Sequence, residues 1–301
     1  MFLGPRIDDM KFSIVIPTFN RKETLHQCLR AATSQTYSQY EIIVVDDGST
    51  DGTDHLVRQE FPSVLYLQQE SNRGPSSTRN LGIRAATGEI VAFTDDDCLV
   101  PIEWISRLAD GYTAYPLASG VGGYVEPPSE MLMASAFARY ESYLSHVVYG
   151  ASDQVYFGGF ESPCGATSNM SYRKSVLEEE GRFDESFPFA AGEDADLKWR
   201  VCEAGHRLLY LPIRVSHLRD YSWGAFRRQQ ITRGRGVIHF ERKHAHQPSR
   251  LRLILRLLKR GLLFVPNSIR IGPRLAWLKL WAGWIEIWGG WLEINRLQSA
   301  G

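Results

Sequence analysis

The chain has 301 residues, of which 44% are hydrophobic and 23% charged, and it contains 8 Trp, 13 Tyr and 14 Phe. A chain of this length and composition can bury a sizeable core, which excludes a disordered, collagen-like or small disulfide-stapled protein. The formal net charge of zero hides an asymmetry, because residues 1–220 hold 19 basic and 31 acidic side chains whereas residues 221–301 hold 15 and 3. We therefore expect two regions, an acidic body at 10–220 and a basic tail at 221–301.

The cysteines and the N-terminus both bear on the cellular setting. The four cysteines form no CxxC pair and no zinc-type spacing, and the N-terminal residues lack the apolar core of a signal peptide. Both observations favour a reducing, cytoplasmic setting with free thiols. Crossing a bilayer takes roughly 18–20 consecutive apolar residues. The Trp-rich stretch near the end of the sequence comes nearest, but Lys279, Glu286 and Glu293 interrupt it, so we expect no membrane span.

The first hundred residues alternate apolar, β-branched runs with segments whose apolar residues recur every three or four positions. The runs predict strands at Phe12–Pro17, Glu41–Val45, Val64–Leu67 and Ile90–Phe93. The segments between them predict helices at Arg21–Ser34, Asp54–Phe61 and Ser76–Thr87. Strands that alternate with helices imply right-handed crossovers and a mostly parallel sheet covered on both faces. The sequence thus predicts an α/β fold with a Rossmann-like central sheet.

Polar or charged residues follow every predicted strand at its carboxyl end, which is where sheets of this kind bind their ligands. No GxGxxG follows the first strand and no P-loop pattern occurs, so the usual dinucleotide and P-loop phosphate sites are excluded. Three consecutive carboxylates, Asp95, Asp96 and Asp97, follow the fourth strand. Because like charges this close raise one another's pKa, the three acids point to a bound Mg²⁺ or Mn²⁺. The alternative is a solvated acidic turn, which the lack of Gly or Asn there disfavours.

Four segments in this order, SIVIPTFNR, VVDDGSTDGT, NRGPSSTRN and GEIVAFTDDDC, resemble family-2 glycosyltransferases of the GT-A fold. The resemblance spans about residues 12–98. It implies that residues 10–98 bind a nucleotide-sugar donor, with a UDP-sugar as the favoured one, and that residues 99–220 form the acceptor half. It also implies that Asp95 and Asp97 are the two ends of the family's Asp-x-Asp motif and bind the metal. The donor-binding positions that it implies are Pro17, Thr18, Asn20, Arg21, Asp46, Asp47, Arg79, Asp95 and Asp96.

In the acceptor half, residues 99–220, the spacing of apolar residues indicates secondary structure less clearly. It predicts a short strand and turn at Gly120–Tyr124 and a helix over 131–149. The segment that contains Gly165 and Asn169 resembles the part of the family that lies beneath the donor sugar and the acceptor. Asn169 has a second interpretation, as a turn residue that bonds to its own backbone.

Two adjacent acids, Glu193 and Asp194, precede a predicted helix over 197–204. Acidic residues in a first helical turn are ordinary capping and dipole partners. The resemblance favours a different interpretation, because the pair matches the family's Glu-Asp motif. It implies that Asp194 is the general base of an inverting transfer, that Glu193 hydrogen-bonds the acceptor, and that Asp196 is a surface residue. His217 resembles the late metal ligand of some members of this fold, although a lone His is more often structural.

The basic tail begins with a sequence that partly resembles the QxxRW motif of processive polysaccharide synthases. Gly234 stands where the Trp of that motif would stack on the growing chain. We therefore expect a single or limited transfer rather than processive synthesis.

Beyond Pro248 the tail is amphipathic. The pattern predicts a helix over 251–264, breaks near Pro266 and Pro273, and then a helix on which five Trp residues form one stripe. A cationic, Trp-bearing tail is typical of attachment to an anionic membrane, here through residues 250–301. The alternatives are packing onto the catalytic domain and homo-oligomerisation through the Trp stripe. The tail shows no nucleic-acid reader motif, so we expect no nucleic-acid partner. The members of the stripe are Trp277, Trp281, Trp284, Trp288 and Trp291.

Together with the patterns of the tail, the resemblance implies a metal-dependent, inverting glycosyltransferase that acts on a lipid-linked or surface-glycan acceptor. They place it in the cytoplasm, peripherally at the inner face of the cell membrane. One alternative is a sugar-nucleotidyltransferase, which would need a Gly-rich loop after the first strand that this sequence lacks. Another is a catalytically inactive scaffold that binds nucleotide sugars.

Overall fold

The computed structural model describes residues 10–244 and 249–299. The predictions for the extreme N-terminus and for the last two residues of the tail lie outside these ranges. The chain divides into two compact units. The first contains the residues up to Pro128 together with Leu144–Glu185 and Asp194–Arg219. The second contains Ser129–Tyr143, Ser186–Glu193 and the residues from Asp220 onward, so that most of it is the predicted basic tail.

The first unit holds the strands and most of the helices that flank them. Its strands are β1 (Phe12–Thr18), β2 (Tyr40–Asp46), β3 (Leu65–Gln68), β4 (Ile90–Phe93), β5 (Cys98–Leu99), β6 (Ala118–Glu126), β7 (Tyr156–Gly158), β8 (Met170–Arg173) and β9 (Arg207–His217). Its helices are α1 (Lys22–Ala32), α2 (Thr53–Glu60), α3 (Pro75–Ala85), α4 (Trp104–Ala114), α7 (Lys174–Glu179) and, from its second residue, α8 (Glu193–Glu203). The second unit holds α5 (Ser129–Ala134), α6 (Ala136–Tyr143), α9 (Trp223–His244), α10 (Arg250–Leu262), α11 (Phe264–Ile271) and α12 (Pro273–Ser299).

Within the described residues the strands form one nine-stranded sheet in the order β3-β2-β1-β4-β8-β6-β9-β5, with β7 also paired to β9. The first four strands in this order are parallel to one another. β8 is antiparallel to both of its neighbours, and β6 runs parallel to β9. The predicted α/β class with a largely parallel sheet is confirmed. The four predicted strands agree with β1 to β4 within one residue at each end.

Helices cover both faces of the sheet, because alternate strand residues point to opposite sides. Ile14 of β1 packs in one buried cluster with Leu25 of α1, whereas its neighbour Val15 packs in another with Ile83 of α3. α3 lies especially close to the sheet, since a Cβ added at Gly82 would be 2.4 Å from a methyl group of Val15. This contact fixes the helix that carries Arg79 relative to the carboxyl end of β1.

The acceptor half differs from its predicted elements in two places. The residues Gly120–Tyr124, predicted to be a short strand and turn, lie within the nine-residue strand β6, because β8 and β9 supply backbone partners on its two sides. The helix predicted over 131–149 is divided into α5, α6 and a π-helical turn at Leu144–Val148. The division falls at Ser135, whose hydroxyl accepts the Phe137 N–H at 3.2 Å.

Asp196 is a further correction. It is fully buried rather than a surface residue. Its carboxylate accepts a hydrogen bond from the Nε of Arg200 at 3.0 Å, and the same guanidinium donates to the carbonyls of Glu180 and Arg182. The residue therefore anchors α8 to the end of α7 inside the first unit.

In the second unit, α9 and α12 approach until their backbones nearly touch. A Cβ added at Gly234 would lie 1.8 Å from the carbonyl oxygen of Glu286, and one added at Gly289 would lie 2.3 Å from that of Ile231. α12 is continuous although its glycines lower helix propensity, since the contact with α9 requires them there. The break predicted near Pro266 falls at Leu263 instead, because a proline is tolerated in the first turn of α11.

The first four Trp residues of the stripe, from Trp277 to Trp288, are 41–56% exposed, and Trp291 is half-buried. The charged residues on the opposite side of α12 are bonded within the second unit: Lys279 to Tyr143 and Glu286 to Arg260. Among the described residues, none of the helices combines the length and the apolar character that a bilayer crossing requires.

We predict that Gly234→Ala will destabilise the chain by about 1–3 kcal/mol, because the added methyl would overlap a backbone carbonyl that cannot yield without moving α12. Urea denaturation followed by circular dichroism measures the change. Gly261→Ala is the matched control, since its Cβ would meet nothing within 4 Å on α10 and helix propensity favours Ala by up to about 1 kcal/mol. Equal stability of Gly234→Ala and the unmodified protein would contradict the close approach of α9 and α12.

Candidate active site

The loops after β1 and β2 are joined by hydrogen bonds at the carboxyl edge of the sheet. Asn20 has a left-handed backbone with φ of 51°, a conformation that Asn tolerates better than most residues. Its N–H donates to the Ser49 hydroxyl at 2.7 Å, and its side-chain oxygen accepts the Thr50 N–H at 2.8 Å. Pro17 lies opposite Val45 in the β1–β2 pairing, one residue before the edge.

The two acids after β2 are buried and fully engaged within the protein. Asp46 accepts the Ser49 N–H at 2.8 Å and the hydroxyl of Tyr66. Asp47 accepts the N–H groups of Arg73 and Gly74 at 2.8 and 2.9 Å, and an amide hydrogen of Gln69 at 2.9 Å. Burial nevertheless raises the pKa of Asp47 above its ordinary value. In this structure both acids shape the loops that surround the site.

Each of the three acids after β4 has its own partners. Asp95 accepts a hydrogen bond from the buried Arg79 at 3.1 Å and another from the Ser168 hydroxyl at 2.5 Å. Asp96 accepts from the Thr18 hydroxyl at 2.8 Å and from Arg21 at 3.1 Å. Arg21 also donates to Asp97 at 2.8 Å.

The two buried acids of this group have opposite protonation tendencies. Burial raises the pKa of Asp96 to about 7, against the opposing charge of Arg21 and with support from the charge of Asp97. Burial acts on Asp97 in the same sense, but His217 and Arg21 outweigh it and hold the pKa of Asp97 well below the usual range. Asp97 is therefore the carboxylate of this pair that stays ionised, as a metal ligand must.

His217 lies at the end of β9, where Cys98 pairs with it across the β5–β9 ladder. Its Nε2 is 2.9 Å from an Asp97 carboxylate oxygen. The ligand atoms of Asp97, Cys98 and His217 all lie within 4.8 Å of one another. A carboxylate and an imidazole on one small patch are a donor set for a divalent transition metal such as Mn²⁺. Asp95 is not part of this cluster.

Cys98 is a site residue that the sequence analysis missed. The cysteines were tested only for spacing among themselves, and Cys98 has no cysteine neighbour in sequence. The sequence feature that could have indicated Cys98 is its position directly after the three acids. Ser168 was also missed, although it immediately precedes the predicted Asn169 and bonds to Asp95.

Asp194 is close enough to Asp95 and Arg79 for their charges to act on its carboxyl group. Burial raises the pKa of its carboxyl group, which the N–H of Ala195, donating at 2.7 Å, and the charge of Arg79 oppose, while the charge of Asp95 raises it further. Its side chain nevertheless keeps partial contact with solvent. The structure thus brings Asp194 within electrostatic reach of Asp95 and Arg79. Glu193, which ends the segment Ser186–Glu193 of the second unit, is buried.

The two residues predicted on the acceptor side lie in the first unit. Gly165 has φ of 135°, which only glycine adopts readily, and an added Cβ would be 2.6 Å from the Lys198 side chain. Asn169 is buried, and its amide accepts from the Trp104 indole and donates to the carbonyls of Tyr124 and Ile213, each at 2.9 Å. It bonds to other elements rather than to its own backbone, so its side chain ties α4, β6 and β9 together.

Solved structures of glycosyltransferases share this fold. A mannosyltransferase from Pyrobaculum calidifontis, in complex with GDP-Man and Mn²⁺, superposes with a TM-score of 0.59 at 20% identity, covering 97% of this chain and 76% of its own. GalNAc-T7 with UDP, GalNAc and Mn²⁺ superposes with a TM-score of 0.54 at 17% identity, covering 74% of this chain and 47% of its own. At these identities the superpositions show a shared fold, which is the GT-A fold that the resemblance implied.

The sequence comparisons identify the family. The model of glycosyl transferase family 2 matches residues 13–181. Glycosyltransferase AglE of Haloferax volcanii is 29% identical over 75% of this chain and 72% of its own length. The glucosyl-dolichyl phosphate glucuronosyltransferase of the same organism is 30% identical over 72% of this chain and 74% of its own length. The chain belongs to glycosyltransferase family 2, and the predicted enzyme class is confirmed.

We predict that Asn169→Ala will lower the free energy of unfolding by at least about 2 kcal/mol, because it removes three hydrogen bonds, two of them buried, and leaves the Trp104 indole N–H without this acceptor. Urea denaturation measures the loss. The exposed Asn72, replaced by Ala, should change stability by less than about 0.5 kcal/mol. If Asn169→Ala kept full stability and lost only turnover, the residue would act on the acceptor instead.

Proposed function

We propose that this protein is a metal-dependent, inverting glycosyltransferase that moves a sugar from a nucleotide-sugar donor to a hydroxyl group. The observation that carries the proposal is the electrostatic proximity of Asp194 to Asp95 and Arg79. It joins an acid from late in the chain to the acidic carboxyl edge of the sheet. A UDP-sugar is the donor favoured by the resemblance, and GDP-Man is the donor held by the Pyrobaculum mannosyltransferase.

Asp97 and His217 are the residues that would hold Mg²⁺ or Mn²⁺, with the Cys98 thiol beside them and Asp95 directed toward the ribose. The imidazole favours Mn²⁺ over Mg²⁺, which prefers oxygen ligands alone. When bound, the ion would offset the charge that develops on the diphosphate as it departs. The ionised state of Asp97 supports this assignment, because a carboxylate with a lowered pKa needs no proton displaced when it binds a cation.

In the proposed reaction Asp194 accepts the proton of the acceptor hydroxyl while the oxygen of that hydroxyl attacks the anomeric carbon. The bond from this carbon to the diphosphate breaks, and the electron pair leaves with the nucleoside diphosphate. The configuration inverts because there is one displacement. Arg79 lies near both Asp95 and Asp194, and its positive charge favours the ionised form of the base. Correct alignment of donor and acceptor supplies much of the remaining acceleration.

The acceptor that we propose is lipid-linked or a surface glycan. One relative is a transferase whose name specifies a dolichyl phosphate-linked sugar. A limited transfer fits better than processive synthesis, because the position of the stacking Trp is occupied by Gly234, against which the backbone of α12 packs.

We propose further that the tail attaches to the cytoplasmic, inner face of the cell membrane. The orientation of α10 supports this proposal. Two of its arginines turn toward acidic residues of the same unit, with Arg256 bonded to Glu241 and Arg260 to Glu286 at 2.8 Å. Most of its apolar side chains are exposed instead, by 44–66% at four positions and by 81% at Leu262, whereas Leu253 is buried. The four positions are Leu251, Ile254, Leu255 and Leu258.

The surroundings of α10 extend this apolar surface. Ile269 of α11 is 84% exposed, and the Trp stripe of α12 is about half exposed. No acidic residue occurs in the sequence between Ser249 and Glu286, whereas basic residues recur throughout. Exposed leucines beside basic and Trp side chains match an anionic lipid interface, where acyl chains accept the apolar groups and headgroups accept the cations.

We predict that Asp194→Asn will reduce transfer by about 10²–10⁴-fold, since the amide cannot accept the proton. Nucleoside diphosphate binding should persist, measured as the rise in melting temperature with UDP or GDP in the presence of Mn²⁺. Because Asp194 must be ionised and its pKa is raised, turnover of the unmodified enzyme should decline on acidification at a higher pH than an ordinary aspartate would give. Transfer is followed by release of the nucleoside diphosphate.

The control for this prediction is Glu203→Gln, which changes an exposed acid on the same helix and should leave turnover unaltered. Unchanged turnover in Asp194→Asn would remove Asp194 from the role of base. Absence of any Mn²⁺-dependent shift with either nucleotide in the unmodified protein would contradict the donor assignment.

We predict that replacing Leu255 and Leu258 together by Ser will weaken vesicle binding at least about tenfold, because each buried leucine contributes roughly 1.5–3 kcal/mol. Flotation with phosphatidylglycerol–phosphatidylcholine vesicles measures binding. Leu117→Ser, at a site 82% exposed in the first unit, is the control and should float normally. A variant that floats normally but changes its mass by light scattering would show that the surface joins subunits instead.

A further inference from the structure

The segment Ser186–Glu193 leads directly into Asp194, and in the second unit it lies against α9. The contact is backbone to backbone at its end, because a Cβ added at Gly236 would be 2.5 Å from the Ala191 carbonyl oxygen. Gly192 has φ of 95°, and its own added Cβ would be 3.0 Å from the carbonyl oxygen of Gly236. A side chain at either glycine would push the segment off the helix.

Aromatic and basic side chains extend this contact. The His239 ring lies 5.5 Å from the Phe189 ring and 6.0 Å from the Phe187 ring. The Arg235 guanidinium lies over the Phe189 ring at 4.4 Å, a favourable cation–π distance. Phe187 is buried. Two side chains of α9, Arg235 and His239, therefore hold the aromatic residues of the segment.

A glutamate of α12 accepts hydrogen bonds from the same two side chains, Arg235 and His239. Glu293 is fully buried, and its carboxylate accepts from Arg235 at 2.6 Å, from His239 at 3.0 Å and from Arg296 at 2.8 Å. These hydrogen bonds outweigh the effect of burial and lower the pKa of Glu293 to about 2. A buried carboxylate with three donors fixes their positions, since removing it would take away the acceptor that Arg235 and His239 share.

We propose that Glu293, acting through Arg235 and His239, is a positioning residue for the Glu193–Asp194 pair. The contacts form a continuous series from α12 to α9 and then to the segment that ends at Glu193. This role rests on the proposed function of Asp194 as the base. It makes transfer depend on the docking of α12, the helix that carries the Trp stripe, although α12 supplies no group to the reaction.

The test is Glu293→Gln in the full-length protein, with Glu286→Gln as the matched control. Both variants neutralise a paired glutamate on α12, but Glu286 bonds to Arg260 and not to the residues that hold the segment. We expect the backbone amides of residues 186–193 to exchange hydrogen about tenfold faster in Glu293→Gln, the scale of one charged hydrogen bond. Peptides from residues 40–52, beside the donor edge, should exchange at the unaltered rate. This measurement needs no activity, so it separates the present inference from the proposed function.

The kinetic expectation is a fall in kcat of about tenfold with an unchanged KM for the donor, and the Mn²⁺-dependent melting shift with UDP or GDP should persist. A positioning role also predicts that the two substitutions are not additive: in a protein that already carries Phe189→Leu, Glu293→Gln should lower kcat little further. Arg235→Lys is the second variant if Glu293→Gln fails to fold, because it retains the charge but loses the planar contact with Phe189. Equal exchange of residues 186–193 in the Glu293 and Glu286 variants, or faster exchange spread evenly over the chain, would overturn the proposal.

Discussion

Negative charge concentrated at the end of β4 is the constraint on which the whole carboxyl edge depends. Three carboxylates in consecutive positions can coexist only if cations or protons compensate them. Here the partners of the acids come from three separate elements: Arg79 on α3 pairs with Asp95, Arg21 before α1 reaches Asp96 and Asp97, and His217 at the end of β9 hydrogen-bonds Asp97. The same pairs therefore bring three parts of the first unit to one edge. The contacts that neutralise the acids are therefore also the contacts that assemble this edge.

The fold of residues 10–98 was predictable because its information is local. Continuous apolar runs mark strands that are buried on both faces, and β1 to β4 fall within one residue of those runs. The polar loops that follow them carry a pattern distinctive enough to indicate the family, which the family model at residues 13–181 confirms. The acids of this edge were likewise found from their position after a strand, without knowledge of their partners.

The remainder depends on contacts between residues far apart in sequence. Asp196 was expected at the surface because the resemblance gave the active-site roles to Glu193 and Asp194, whereas its burial follows from Arg200 and the carbonyls near the end of α7. Gly120–Tyr124 gave no sign of a nine-residue strand, since the partners of β6 lie on β8 and β9. The orientation of α10 was also hidden: a helical wheel separates leucines from arginines but does not say which side faces solvent. Acids on α9 and α12 decide it by pairing with the arginines.

The near-contact between Gly234 and the Glu286 carbonyl limits how this enzyme could evolve. A Cβ added at Gly234 would lie 1.8 Å from this backbone oxygen, which leaves no room for even one methyl group. No single substitution could therefore place an aromatic ring at this position. A descendant that extended a polymer by stacking it there would first have to displace or lose its last long helix. As long as α9 and α12 keep this arrangement, descendants of this protein cannot acquire an aromatic side chain at position 234 by single substitutions.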